Sequence, residues 1–197
     1  MKIIGMTGGS GAGKSEVCGL FAGYGVESID TDRVARAVTR GGSACLKELT
    51  RYFSEVILDN RGELDRKKLA DAVFADKSKL EILNKITHKY ILESCMNSIK
   101  DMESAGKNIV IIDAPLLFES GFNEKCDIII SVIADLNERI RRIINRDNLT
   151  SEQAVRRIEN QKTDDFFLKH SDYIIYNNGA LKEVEPQVAA ICADILG

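Results

Sequence analysis

Five short apolar runs punctuate the chain: Lys2–Thr7, Val26–Asp30, Asn108–Asp113, Asp127–Ala134 and Tyr173–Asn177. The longer ones are near-continuous Ile and Val, as strands buried on both faces of a parallel sheet require. Helical patterns fill the intervals and supply the crossovers that parallel strands need. The stretch from about 31 to 106 holds no strand pattern. Leu64, Leu69, Val73 and Phe74 form a broken helical stripe there, and Leu80, Leu83, Ile86, Tyr90 and Ile91 form another. One crossover helix suffices at that point, so the excess predicts a helical subdomain beside the sheet. Gly41-Gly42 and Asn60-Arg61-Gly62 read as turns.

The expected fold is therefore α/β: a five-stranded parallel sheet flanked by helices, with a helical subdomain. A length of 197 residues suits one such domain with an insertion, and 44% hydrophobic residues support a packed core. The net charge of −3 gives no global argument for a nucleic-acid or membrane partner. No run of eighteen apolar residues and no signal-peptide pattern appears, so a cytoplasmic protein is expected. Cysteines at 18, 45, 95, 126 and 192 show no C-x-x-C spacing. Their odd number argues against a disulfide framework, and reduced thiols serving as small apolar filler are expected.

Candidate chemistry begins at Gly8-Gly9-Ser10-Gly11-Ala12-Gly13-Lys14-Ser15, which fits G-x-x-x-x-G-K-[ST] between a strand pattern and a helix pattern. Glycines let successive backbone N–H groups converge on phosphate oxygens, and the helix N-terminus adds partial positive charge. Lys14 is placed to reach the β- and γ-phosphates of ATP, and the Ser15 hydroxyl to hold Mg²⁺. A guanine-specific protein calls for N-K-x-D. Asn84-Lys85-Ile86-Thr87 ends in Thr and sits in a helical pattern, while Asp59–Gly62 reads as a turn.

Three further positions carry a functional and a structural reading each. An arginine-rich helix follows the fourth strand. Arg142 and Arg146, one turn apart, either neutralise phosphate charge or form a solvated face; Arg139 and Arg141 are expected at the surface. Asp30-Thr31-Asp32 stands past the second strand, where ligands of open α/β sheets bind. An acid there either accepts a proton from an acceptor hydroxyl or caps the next helix. Asp113 ends the third strand, as an acid holding a Mg²⁺-bound water does, or makes a turn before Pro115. The rivals are a kinase of another small hydroxyl substrate (a nucleoside monophosphate, gluconate or shikimate) and a non-catalytic nucleotide switch.

Taken together, the motifs resemble the dephospho-coenzyme A kinase family almost end to end. The resemblance is carried by Gly5–Ser15, Ile29–Asp32 with Arg36, Gly62–Arg66, Leu69, Val73-Phe74, Leu83-Asn84 and Thr87-His88. It continues through Asp113–Glu119, Arg146-Asp147, Arg157-Ile158 with Gln161, and Asn177–Gly179. It implies transfer of the ATP γ-phosphate to the ribose 3′-hydroxyl of dephospho-CoA, with Asp32 as base. It implies a nucleotide-binding core at 1–30, 107–135 and 171–197, an acceptor subdomain at 31–106 and a lid at 136–165, all within one domain spanning 1–197. Arg36, Leu64, Arg66 and His88, with Pro115, Leu116, Leu117 and Phe118, would line the acceptor site. Asn177 and Gly179 would lie in a loop beside the adenine. Partners are then ATP and dephospho-CoA, with no nucleic acid or membrane. The sequence does not set the oligomeric state, and a monomer is expected. Two positions depart from the family pattern. Lys89 follows His88 where proline is usual, which is expected to loosen a helix start, and Arg40-Gly41-Gly42 replaces a Pro-Gly.

Overall fold

In chain order the elements are β1 (Lys2–Thr7), α1 (Lys14–Ala22), β2 (Glu27–Asp30), α2 (Thr31–Val38), α3 (Ala44–Phe53), α4 (Arg66–Val73), α5 (Lys77–Ser104), β3 (Ile109–Asp113), β4 (Ile128–Ile133), α6 (Leu136–Asp147), α7 (Ser151–Glu159), α8 (Asp164–His170), β5 (Tyr173–Tyr176) and α9 (Leu181–Leu196). This computed structural model describes residues 1–74 and 76–196. The chain divides into two compact units, Met1–Ile29 with Lys107–Gly197, and Asp30–Gly106.

The first unit is built on the sheet, ordered β2-β3-β1-β4-β5. Strand β1 pairs in parallel with β3 on one side and β4 on the other, and β4 pairs with β5. The winding direction thus reverses at β1, and in such sheets ligands bind outside the carboxyl ends of the strands at that reversal. Register aligns those ends, Met6 opposite Asp113 and Thr7 opposite Ser131. Ile4, Met6, Ile111, Ile130, Val132 and Ile175 are fully buried, packed with Val17 and Phe21 of α1 and Val184 and Val188 of α9. Each such side chain contributes roughly 1.5–3 kcal/mol on burial, so the loops at the strand ends stand on a rigid floor.

The second unit is helical. Its core joins Cys45, Leu46, Leu49 and Phe53 of α3 to Ile57, Leu69, Val73 and Ile86. Aspartates start α4 and α5: Asp65 accepts from the Lys67 and Lys68 amides, and Asp76 from those of Ser78 and Lys79. Phe74, expected in the α4 stripe, is instead 93% exposed: it caps α4 with helical backbone, about 100° round the axis from the buried Val73. Lys89 lies well inside α5 rather than at a helix start. Its amide nitrogen lets the helix run on where proline would remove a hydrogen bond. The Lys89 ammonium and the Tyr90 hydroxyl both donate to Glu48 Oε2, at 3.2 and 2.6 Å, tying α5 to α3.

None of the five cysteines is in a disulfide, and all but the half-buried Cys126 are buried. Burial pushes the thiols of Cys45 and Cys95 up to about 11 and that of Cys126 to about 12. They stay protonated, as apolar filler does. Among the described residues no helix is long and apolar enough to cross a membrane.

Candidate active site

Residues Gly8–Gly13 link β1 to α1 as a tight loop. Gly8, Gly11 and Gly13 have φ of 139°, 78° and 90°. A side chain at Gly8 would also meet the Val132 carbonyl oxygen at 2.2 Å. Gly13 caps α1 with no side-chain hydrogen bond, so no side chain covers the positive end of that helix from the cap position.

Three consecutive carbonyls of the loop are held from outside. Arg139 Nε donates to Ser10 O at 3.0 Å. Arg142 Nη1 donates to Gly11 O and Ala12 O at 3.3 and 3.4 Å. Asn177 Nδ2 donates to Ala12 O at 2.9 Å. In a trans peptide the next N–H points opposite to the carbonyl. Holding Ser10 O and Ala12 O outside therefore turns the Gly11 and Gly13 amides the other way, which is the arrangement a phosphate cradle needs. The Ala12 amide closes a turn onto Gly9 O at 3.1 Å. Lys14 Nζ donates to Gly8 O at 3.2 Å, so its charge lies along the loop.

The Ser15 hydroxyl and Asp113 Oδ2 are 3.5 Å apart. Asp113 is 8% exposed at the end of β3. A hydroxyl and a carboxylate side by side at the phosphate-binding end of the sheet fit a hard cation such as Mg²⁺, which prefers few protein oxygens and retained water. Among the described residues no group of three or more His, Cys, Asp and Glu side chains is placed to hold a metal.

The arginines do not sort as expected. Arg139, expected at the surface, is 4% exposed. Its Nη1 pairs with Asp164 at 3.3 Å, and its Nη2 is buried without a hydrogen-bond acceptor. Burial pushes this guanidinium below its ordinary value, with Asp164 opposing; it stays charged all the same. A bare buried donor costs about 1–3 kcal/mol. Arg139 and Arg142 share a face through their i, i+3 spacing, which is the local signal that pairs them. Arg146 instead commits Nε and Nη2 to Asp147, both at 2.9 Å, and is 62% exposed. Arg157 reaches the same carboxylate. Asp147 is thereby held down at about 2, Arg146 being the larger cause.

Asn177 braces the loop from within the core: it is 1% exposed, and Arg142 Nη2 donates to its Oδ1 at 3.5 Å. Gly179 nearby is exposed. Gln161, present in the sequence only as one motif position, accepts from the Ser10 amide at 2.8 Å and donates to the Ser10 hydroxyl at 3.2 Å. Pro115 is half-buried and Leu116 is 50% exposed. Leu117, expected on an acceptor wall, is fully buried; its methyl groups pack against Gly5, so it belongs to the core. Phe118 meets Phe166 edge-on at 4.9 Å, and Phe166 stacks on His170 at 4.1 Å.

In the helical unit, Asp30 is the helix cap: its carboxylate accepts from the Asp32 and Arg33 amides at 2.8 and 3.0 Å. Asp32 is left exposed in the first turn of α2, with Arg36 exposed one turn on. Arg66 donates to the Thr39 hydroxyl at 3.1 Å. Leu64 and His88 are half-buried, the latter on α5.

The family model for dephospho-CoA kinase matches residues 2–183. A Corynebacterium glutamicum dephospho-CoA kinase is 37% identical over 196 residues, covering 100% of this chain and 98% of that protein. One from Listeria monocytogenes is 38% identical over 187 residues, covering 95% of this chain and 94% of its own. Among solved structures, a Thermus thermophilus protein superposes with a TM-score of 0.85 at 31% identity, covering 100% and 98% of the two chains. A Campylobacter jejuni dephospho-CoA kinase does so with 0.72 at 26% identity, covering 99% and 98%. Matched by the family model over nearly its whole length and by relatives above one-third identity, this chain belongs to the dephospho-CoA kinase family.

Proposed function

We propose that this protein transfers the γ-phosphoryl group of ATP to the ribose 3′-hydroxyl of dephospho-CoA, releasing coenzyme A and ADP. The observation that carries the reading is the loop whose carbonyls are held outward by Arg139, Arg142 and Asn177. Such a loop presents amides to a phosphate chain with little reorganisation on binding, and preorganised donors are the main resource in phosphoryl transfer. Lys14 neutralises the transferred group, while Arg142 shapes the loop from behind by holding the Gly11 and Ala12 carbonyls and Asn177. Ser15 would hold the magnesium ion with the Asp113 carboxylate beside it, and the ion would supply charge neutralisation for the phosphate chain.

Asp32 is the base. Its carboxylate accepts the proton of the 3′-hydroxyl as that oxygen bonds to the γ-phosphorus and the bond to the β–γ bridging oxygen breaks. Asp30 does the capping, which leaves the Asp32 carboxylate exposed in the first turn of α2. The family resemblance assigns acceptor binding to Arg36, Leu64, Arg66 and His88, and to Pro115, Leu116 and Phe118. Gly179 lies beside the adenine. Residues 136–165 close over ATP, with Arg139, Arg142 and Gln161 as their fixed attachment to the loop. Dependence on ATP suits a cytoplasmic reaction.

The test is incubation with ATP, Mg²⁺ and dephospho-CoA, with CoA and ADP identified by mass, beside a panel of other small hydroxyl acceptors. Asp32→Asn should lower turnover by about 10²–10⁴-fold, the usual worth of a positioned base, while ATP affinity changes little. Near-normal turnover of that variant would remove Asp32 from the role.

A further inference from the structure

We propose that Arg139 and Gln161 are positioning residues for the donor loop, clamping Ser10 from outside so that the amides beyond it are already aimed at the phosphates before ATP arrives. The inference rests on the ATP-dependent reading above. Every polar group of Ser10 is engaged by these two side chains. Its amide donates to Gln161 Oε1 at 2.8 Å, its hydroxyl accepts from Gln161 Nε2 at 3.2 Å, and its carbonyl accepts from Arg139 Nε at 3.0 Å. Two successive peptide planes, those before and after Ser10, are thereby fixed, and the second carries the Gly11 amide.

The clamp also explains a glycine that backbone geometry does not. Gly9 is absent from the positive-φ glycines of the loop, so its own conformation admits a side chain. A Cβ there would meet Arg139 Nη2 at 2.1 Å. Gly9 is thus the floor on which the guanidinium lies. Arg139 keeps that Nη2 buried and without an acceptor, a cost that an apolar residue filling the same space would avoid. Its other arm is anchored on Asp164, at the start of α8. A group merely filling space has no need of a planar fork with one edge on a loop carbonyl and another on a carboxylate; a group setting a peptide plane does.

The experiment measures Mg·ATP affinity by calorimetry, and separately the KM for each substrate, on the full chain. Gln161→Leu is expected to weaken ATP about tenfold through the loss of two hydrogen bonds, with the dephospho-CoA KM unchanged. A general loss of folded protein would lower kcat and move neither. Gly9→Ala is expected to weaken ATP by about tenfold alone, but by under about threefold when added to Arg139→Ala, which vacates the space. ATP affinity of Gln161→Leu within about twofold of native, or an equal Gly9→Ala penalty in both backgrounds, overturns the clamp. If Arg139→Ala does not fold, the Gln161→Leu arm decides alone. Absence of turnover by the native chain overturns the acceptor assignment instead, because ATP affinity is read without it.

Discussion

Asn177→Asp exchanges one NH₂ for an oxygen at the base of the loop and leaves side-chain volume almost unchanged. Arginine only donates and a carbonyl only accepts, so the amide orientation is dictated: Oδ1 toward Arg142 and Nδ2 toward Ala12 O. The variant faces the Ala12 carbonyl oxygen with a second acceptor at a 2.9 Å spacing, in a position 1% exposed. The hydrogen bond is lost, and a carboxylate is buried 3.5 Å from Arg142 Nη2, an ion-pair distance that offsets only part of the desolvation cost. Together these cost about 2–4 kcal/mol. At 2–4 °C per kcal/mol for a chain of this size, the melting temperature should fall by about 5–15 °C. Asn177→Ala loses the bond without gaining a charge and should cost less, about 1–3 kcal/mol. Both should raise the ATP KM, because the released Ala12–Gly13 peptide no longer aims the Gly13 amide. Thermal melts and initial-rate kinetics on the three proteins give the answer. If the Asp variant melts no lower than the Ala variant and the ATP KM stays native, the amide does not hold the loop, and outward carbonyls do not shape the cradle.

Gly8→Ala combines a φ of 139° with a 2.2 Å approach to the Val132 carbonyl, backbone that cannot swing aside. It should destabilise by about 2–6 kcal/mol in urea titration and abolish ATP binding. Gly19→Ala is the control: this exposed glycine of α1 has nothing within 4 Å of an added Cβ, so the protein should gain about 0.5–1 kcal/mol with activity intact. Asp147 sets an acid response. Its carboxyl sits at about 2 against an ordinary 3.8, lowered first by Arg146 and then by Arg157. A depressed carboxyl contributes stability above its unfolded value and loses it as pH falls through the folded one. The native protein should therefore weaken between about pH 4 and pH 2 more steeply than Asp147→Asn, as read from denaturant midpoints across that range.

How much of this was legible beforehand depended on range. The strands were readable to within a residue at either end, because runs such as Ile109–Ile112 have no other use in a chain without a membrane-length apolar run. The loop was readable because glycine spacing is itself the backbone geometry that phosphate requires. Asp30 and Asp32 illustrate a limit. Both are acids after the same strand, and only the observed hydrogen bonds assign capping to Asp30. Leu116 and Leu117 illustrate another, since adjacent leucines look alike until one is found fully buried and the other half exposed.

The arginine helix marks the boundary most sharply. Local pattern placed a basic helix after the fourth strand, and it forms there, from Leu136 to Asp147. Which arginine serves the loop was not a local property. Arg139 is selected by Ser10, Gly9 and Asp164, and Arg146 is diverted by Asp147 and Arg157. Sequence by itself determined the sheet, the phosphate loop and the family, because periodicity and glycine spacing act over a few residues. Tertiary structure alone decided which side chains shape that loop, because Gln161 and Asn177 lie 151 and 165 positions from the residues they hold. Only a sheet that places the ends of β1 and β5 along one edge brings such distant groups to a single loop.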